Sequence, residues 1–181
     1  MKVIILAGGW GTRLGSLSED VPKPMVKIGN KPIIWHIMKI FSHHGLNDFI
    51  VSCGVKSNVL KDYFSNFQIY NNDFTINTST SKCHIHDNYS DNWNVTVADT
   101  GLNTLKGARI KLVEKYLDDD LNMVTYGDGV ADIDLDELLK FHKSHGKIVT
   151  ITGVRPPARF GEIIEEGGVV TSFKEKPQVS Q

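Results

Sequence analysis

Three groups of residues in this 181-residue chain have the types and spacing to handle phosphate. The first is Gly8-Gly9-Trp10-Gly11-Thr12-Arg13, set directly after the apolar run Val3-Ile4-Ile5-Leu6-Ala7. Glycines lack a Cβ, so backbone N–H groups there can approach an anion closely, and Arg13 adds a planar fork of donors for phosphate oxygens. This is not a Walker A loop, because no Gly-Lys-Ser/Thr follows, nor the dinucleotide fingerprint, because Leu14 stands where that motif has its third glycine. Taken by itself such a loop is open to two readings, a phosphate cradle or a plain tight strand-to-helix turn. The second group is Pro22-Lys23-Pro24, whose prolines fix the backbone and so aim the Lys23 ammonium. The third is Gly127-Asp128-Gly129, following a strand-like run over 122–126, where a carboxylate with space cleared on both sides suits Mg²⁺ held against phosphates.

The elements that must position these groups follow from hydrophobic periodicity. Residues 2–7, 48–53, 94–98 and 122–126 read as strands, the first a continuous β-branched run of the kind covered on both faces. A helix is expected from about Pro32, with Ile34, Ile37, Met38 and Phe41 inward and Gly45 as its stop. A second, over 56–66, turns Val59, Leu60, Tyr63 and Phe64 inward, and a third, over 104–117, does the same with Leu105, Ala108, Leu112, Val113 and Tyr116. Asp134 is a fitting N-cap for a helix ending near His145-Gly146. A strand over 147–154 is expected next, then a hairpin in which Gly167-Gly168 turns Glu162–Glu165 back as Val169–Phe173. Repeated βαβ units imply an α/β fold of Rossmann-like, doubly wound type. Its sheet should be mainly parallel but mixed, with ligands at the carboxyl ends of the strands. The polar stretch 67–94 interrupts this rhythm as an excursion with small strands near 74–78 and 82–86, inside one domain spanning 1–181.

Composition removes several classes. With 40% hydrophobic and 23% charged residues the chain is neither disordered nor fibrous. Twenty Lys plus Arg against 21 Asp plus Glu leave a formal charge of −1, so no global field favours nucleic acid or an anionic membrane. Any anion must be held locally. Cys53 and Cys83, with no CxxC, read as free thiols of a reducing compartment. No apolar stretch approaches the roughly 20 residues of a membrane-spanning helix, and a cytoplasmic protein is the expectation. The triplets at Asn77, Asn88 and Asn94 are then chance matches to a glycosylation pattern. His84 and His86 share one face of an expected strand, but a polar solvent-facing strand explains them better than a metal pair. His43 and His44 suit a helix carboxyl end.

Leu6-Ala7-Gly8-Gly9-x-Gly11-Thr12-Arg13-Leu14, followed nine residues later by Lys23-Pro24-Met25, resembles the signature of the sugar-1-phosphate nucleotidyltransferases. Trp93 to Gly101, with Leu105-Lys106-Gly107-Ala108-Arg109, is similar to the base-recognition region of the glucose-1-phosphate cytidylyltransferases, and Phe173-Lys174-Glu175-Lys176-Pro177 to the family's Glu-Lys-Pro segment. The resemblance implies transfer of CMP from CTP to a sugar 1-phosphate, glucose 1-phosphate first among them, giving a CDP-sugar and pyrophosphate. It implies that Leu6, Ala7, Gly8, Gly9, Gly11 and Thr12 cradle the nucleotide, that Arg13 and Lys23 are catalytic, and that Asp128 holds Mg²⁺. It further implies that backbone groups at Thr100 and Gly101 meet the base and that Lys176 meets the sugar phosphate. Arg109 would reach the phosphates, with an outward-facing helix arginine as the alternative reading. Trp10 stands where the family often has a smaller or aliphatic residue. The family pattern continues past Pro177, so the chain is expected to be truncated relative to it. Two alternatives therefore stay open: a different phosphorylated acceptor, or a partial nucleotide-binding module without turnover. Family members often assemble, and the 67–94 excursion is a natural arm for a homo-oligomer.

Overall fold

The computed structural model describes residues 1–10, 21–86, 89–154 and 160–175. The chain divides into two compact units, Met1–Asp136 and Glu137–Gln181. In the first, β1 (Val3–Ala7), β4 (Asp48–Cys53), β7 (Asn94–Asp99) and β8 (Met123–Tyr126) form a sheet of order β7-β4-β1-β8. Every pairing in it is parallel, with Val3 opposite Phe49 and Met123, and Asp48 opposite Asn94. The chain runs outward from β1 through β4 to β7 and then returns to β1's other side as β8, so the strand order reverses beside β1. Crevices for ligands open at the carboxyl ends of strands at such a reversal.

The sheet holds because both its faces are covered. Ile4 and Ile50 share one face with Val113, and Leu6, Ala98, Ile110 and Leu117 pack around them. Their chain neighbours Val3, Ile5, Phe49 and Val51 point the other way and are equally buried, as are Ile34 and Met38 of α1 (Ile33–His43) and Leu60 of α2 (Ser57–Ser65). Each such side chain contributes about 1.5–3 kcal/mol of burial, offset by the entropy of ordering the chain. The inward residues expected of α1 are the ones buried, and Gly45, at φ +76°, ends it. In α2, Leu60 and Tyr63 are buried. Among the described residues no helix is long and apolar enough to cross a membrane.

The helix expected over 104–117 differs in extent and in face. It is seven residues, α4 (Lys106–Leu112), followed by a 3-10 turn Glu114–Tyr116. Leu105 is 81% exposed and Leu112 55%, while Arg109 and Val113 are buried. Val113 is inward as expected, but apolar periodicity misassigned Leu105 and Leu112, because the inward position of this turn is taken by Arg109, a cation held by backbone carbonyls.

The 67–94 excursion opens with a short helix, α3 (Phe67–Asn71), and continues as an antiparallel ribbon of β5 (Phe74–Asn77) and β6 (Lys82–Ile85). It is moored to α1 through Asp91, which accepts from Trp35 Nε1 at 3.0 Å and pairs with Lys39 Nζ at 2.9 Å. Trp93 closes the seam, 5.9 Å from the Phe49 ring and 5.7 Å from that of Phe67. A small ribbon, β2 (Lys27–Ile28) with β3 (Lys31–Pro32), precedes α1.

Helix α5 (Leu135–His145) begins where expected, the Asp134 carboxylate accepting from the Asp136 N–H at 3.0 Å. The strand expected over 147–154 is absent: these residues join no ladder among the described residues, and Ile148 is 97% and Ile151 86% exposed. A β-branched run specifies a strand only when an edge receives its backbone groups, and periodicity carries no information about that partner. The final hairpin is present, β9 (Glu162–Glu166) with β10 (Val169–Lys174), turned through Gly167 at φ +61° and Gly168 at +86°.

Candidate functional site

A cavity of about 690 Å³ opens where the strand order reverses. The loop after β1, Gly8 to Trp10, forms one wall with Leu6 and Ala7, and Lys23 and Pro24 form a second. Leu102 to Lys106, which follow β7, form a third, and Tyr126 to Asp128 a fourth. Of the residues expected to act, the structure thus brings together Leu6, Ala7, Gly8, Gly9, Lys23, Arg109 and Asp128. Gly11, Thr12, Arg13 and Lys176 lie outside the described residues.

Lys23 belongs to a single 3-10 turn, Lys23–Met25, started by Pro22 and closed by the Val26 N–H donating to Lys23 O at 3.1 Å. Gly127 is what lets this turn sit against the strand ends. It donates to Leu6 O at 3.0 Å, and a Cβ there would lie 2.8 Å from Pro24 Cγ and 3.2 Å from Leu6 O. Across the opening, Lys23 Nζ stands 3.5 Å from Asp128 Oδ2, the ammonium 19% and the carboxylate 42% exposed. Lys106 Nζ lies over the Tyr126 ring at 5.1 Å. Among the described residues the cavity therefore carries three cations, Lys23, Lys106 and Arg109, against one carboxylate, a balance suited to a polyphosphate.

Arg109 faces inward, beneath the loop. Its Nη1 donates to Cys53 O at 2.9 Å and Thr100 Oγ1 at 2.6 Å, and its Nη2 to Gly8 O at 2.9 Å and Leu102 O at 3.3 Å. One guanidinium thus joins the ends of three strands. It is 5% exposed and has no ion-pair partner among the described residues. Burial pulls its pKa downward, the nearby Cys53 and Asp99 groups opposing this. Two glycines make room: a Cβ on Gly8 would lie 2.2 Å from Arg109 Nη1, and one on Gly54 2.7 Å from the same atom. The reading of Arg109 as an outward arginine is excluded by this geometry. Its terminal nitrogens hold the protein's own carbonyls, while its unpaired charge lies at the cavity floor.

Thr100 and Gly101 are not in the cavity wall. The Thr100 N–H donates to Cys53 O at 2.9 Å, its hydroxyl to the same oxygen at 2.6 Å, and its carbonyl accepts from Thr104 Oγ1. The Gly101 N–H donates to Asp99 Oδ1 at 3.0 Å, and Gly101 itself sits at φ +85°. These two residues build the turn that projects Leu102 to Lys106 into the cavity. That N–H, with the Ser57 hydroxyl and Lys61, holds the Asp99 carboxyl below its ordinary range. Cys53, buried behind the turn, has its thiol pushed up to about 12, chiefly by burial and then by Asp99.

Sequence reasoning placed Leu105 and Lys106 in the base-recognition region but missed Leu102 to Thr104, Tyr126 and Gly54. Leu102 to Thr104 were within reach, since residues just past the carboxyl end of a parallel strand line the crevice of this fold. Gly54 carried no local signal, because its role is to clear space for an arginine 55 positions away. Trp10, 62% exposed, lines the cavity mouth. His84 and His86 are ring neighbours at 5.0 Å, and His86 bonds Thr75 Oγ1 at 2.7 Å on the exposed ribbon. His44 pairs with Asp136 at 2.8 Å in addition to its place at the end of α1.

Asp128 fits the demands of Mg²⁺. The ion takes hard oxygen ligands, commonly one or two carboxylates together with substrate phosphates and water, and Asp128 presents such an oxygen where phosphates would meet cations.

Comparison with known proteins sets this site in a family. The family model described as nucleotidyl transferase matches residues 2–181. A glucose-1-phosphate cytidylyltransferase of Salmonella typhi is 48% identical over 179 residues, 98% of this chain and 70% of that protein. Its counterpart in Salmonella typhimurium is likewise 48% identical, with the same shares covered. The crystal structure of HddC from Yersinia pseudotuberculosis complexed with GMP-PN superposes with a TM-score of 0.63 at 27% identity, covering 98% of this chain and 70% of that one.

Proposed function

The chain belongs to the nucleotidyl transferase family, and we propose that it transfers CMP from CTP to a sugar 1-phosphate, glucose 1-phosphate by preference, with release of pyrophosphate. The observation that carries this reading is the cavity at the strand reversal, in which the glycine loop, Lys23 and Asp128 converge. The 48% identity to proteins named glucose-1-phosphate cytidylyltransferase supports the choice of base and acceptor.

In this reading an acceptor phosphate oxygen attacks the α-phosphorus of CTP in line, and the bond to the β-phosphate oxygen breaks as pyrophosphate leaves. Such a step needs little covalent help, so the protein acts by positioning and by neutralising charge on the oxygens. Lys23 binds the α-phosphate and the incoming oxygen. Its partner Asp128 is the residue that would hold Mg²⁺, and the ion would supply neutralisation of charge on the phosphate oxygens. Gly8 and Gly9 offer backbone N–H groups to the nucleotide, and the charge of Arg109 beneath them favours an anion above. Arg13 holds the leaving polyphosphate and Lys176 the sugar phosphate. The base lies along Leu102 to Lys106.

The test is pyrophosphate release by the purified chain with Mg²⁺, four nucleoside triphosphates and a panel of phosphate monoesters. CTP with glucose 1-phosphate should exceed every other pair by at least about tenfold, the factor that roughly 1.4 kcal/mol of preference supplies. Greater release with another acceptor would transfer the assignment to that acceptor. CTP binding without release from any pair would make the chain a nucleotide-binding module.

A further inference from the structure

Thr100 and Gly101, the residues expected to meet the base, spend their N–H groups on Cys53 O and on the Asp99 carboxylate, so the polar edge of a base must be met elsewhere in the cavity. The wall from Leu102 to Lys106 has the composition for it. Leu102 is 55% and Leu105 81% exposed, two open apolar side chains that suit the face of a planar ring and not a phosphate. The polar side chains of this wall differ in what they can still offer. The Thr104 hydroxyl donates to Thr100 O. Asn103 carries both a donor and an acceptor and can turn either toward a ligand, so it serves one pyrimidine as well as another. Lys106 is exposed, and among the described residues its ammonium makes no hydrogen bond or ion pair. It is nevertheless held in place, 5.1 Å above the Tyr126 ring. A ring face attracts the charge without consuming an N–H, so the donors of Lys106 stay available. The other cations of the cavity are engaged: Lys23 faces Asp128 at 3.5 Å, and Arg109 donates to Gly8 O, Cys53 O and Thr100 Oγ1.

Cytosine and uracil have the same size and differ along one edge. Cytosine presents an amino donor at N4 and then two neighbouring acceptors, N3 and O2. Uracil presents an acceptor at O4, a donor at N3 and an acceptor at O2. An ammonium can only donate, so it fits the N3 and O2 of cytosine and opposes the N3–H of uracil. We propose that Lys106 is the residue that selects cytosine over uracil, its ammonium donating to N3 and O2 of the base while the Tyr126 ring holds it in position. A contact of this kind discriminates strongly, because the wrong base leaves a charged donor without an acceptor in a partly desolvated site. The inference rests on the reading of this cavity as a CTP site, and it adds the side chain that chooses the nucleotide.

The experiment is calorimetric titration of the chain with CTP and with UTP in the presence of Mg²⁺, for wild type, Lys106→Met and Lys106→Arg, beside pyrophosphate release with glucose 1-phosphate. Met keeps the apolar stem and removes the donors, and at an exposed position it should leave the fold intact, which the urea midpoint checks. Wild type should bind CTP at least about tenfold tighter than UTP. In Lys106→Met the affinity for CTP should fall by about tenfold while that for UTP stays within about twofold, so that the preference disappears. Lys106→Arg keeps charged donors and should retain a preference of about threefold or more. Because the contact is to the base and not to the reacting phosphates, KM for CTP should rise in Lys106→Met while kcat stays within about threefold. An equal loss for CTP and UTP would make Lys106 a phosphate ligand and overturn the assignment. So would a preference that survives in Lys106→Met, or a wild type that binds the two nucleotides alike. Pyrophosphate release from CTP with a preference indifferent to Lys106 would sink this inference and leave the transfer reading standing. A preference that collapses in Lys106→Met, in a chain whose wild type releases no pyrophosphate from any pair, would do the reverse.

Discussion

The crest of the parallel sheet and the β5–β6 ribbon are both rich in polar side chains, and they use them in opposite ways. At the crest Ser52, Thr100 and Arg109 are at most 5% exposed, and their polar groups are paired with one another or with strand carbonyls. On the ribbon Thr75, Asn77, Lys82 and His84 form one face and Phe74, Ile76, Cys83 and Ile85 the other, nearly all of them exposed. Removing a partner from a buried network strands desolvated groups, whereas removing one from a wet surface returns it to water. The crest should therefore be brittle and the ribbon tolerant. A two-stranded ribbon is marginal alone, and this one depends on its base, where Asn72 and Tyr89 exchange bonds of 3.0 and 2.8 Å.

The sharpest way to break the contrast is Arg109→Met. It takes the guanidinium donors away from Gly8 O and from Thr100 Oγ1, while Cys53 O keeps its two Thr100 donors, and unfolding in urea should show a loss of about 1–3 kcal/mol. Thr75→Ala on the ribbon should stay within about 0.5 kcal/mol in the same measurement. A loss under about 1 kcal/mol for Arg109→Met would mean that the crest repacks and is no keystone. Lys23→Ala separates function from stability within the crest. Turnover should fall by about 10²–10³-fold, as when one charge-stabilising donor is removed, while urea stability moves by less than about 1 kcal/mol because the Lys23–Asp128 pair is open to solvent. Near-normal pyrophosphate release from this variant would remove Lys23 from the chemistry.

The contrast also explains what the sequence made legible. The four strands of the parallel sheet, α1, α2, the small strands β5 and β6 and the final hairpin follow from patterns that are local, whereas the β2–β3 ribbon was not anticipated. Lys23 and Asp128 were legible because prolines and glycines frame them, and Gly8 because its loop follows a strand. The inward turn of Arg109 was not, because its acceptors come from residues 8, 53, 100 and 102, which only the finished sheet assembles. Thr100 and Gly101 misled for the same reason: their polar groups serve the turn that carries Leu102 to Lys106. The run over 147–154 shows the converse, a clear local pattern whose partner is not local.

Two smaller effects probe the same boundary between buried and exposed polarity. Cys53 and Cys83 are both free, the first buried and the second exposed. At pH 8 iodoacetamide should label Cys83 alone, because the Cys53 thiol stays protonated up to about 12 and is out of reach; Cys53 should react only after denaturation. Rapid modification of Cys53 in the folded chain would show that the crest opens readily.

Asp99, half-exposed at the rim of the crest, gives the smallest expected signal. Its carboxyl is held low first by the Gly101 N–H, then by the Ser57 hydroxyl at 2.8 Å and by Lys61 at 3.6 Å. A depressed folded value means that the ionised form binds better in the folded state. The contribution is therefore complete above the unfolded value of about 3.9 and is lost as pH falls through the lower folded value. After screening it should amount to less than about 1 kcal/mol. Urea unfolding of wild type and Asp99→Asn at pH 6 and pH 3 measures it: the gap between the two proteins should narrow at the lower pH. A gap that is constant across this range would assign the role of Asp99 to the shape of its hydrogen bonds and not to its charge, and would move the electrostatic boundary of the crest inward to Arg109.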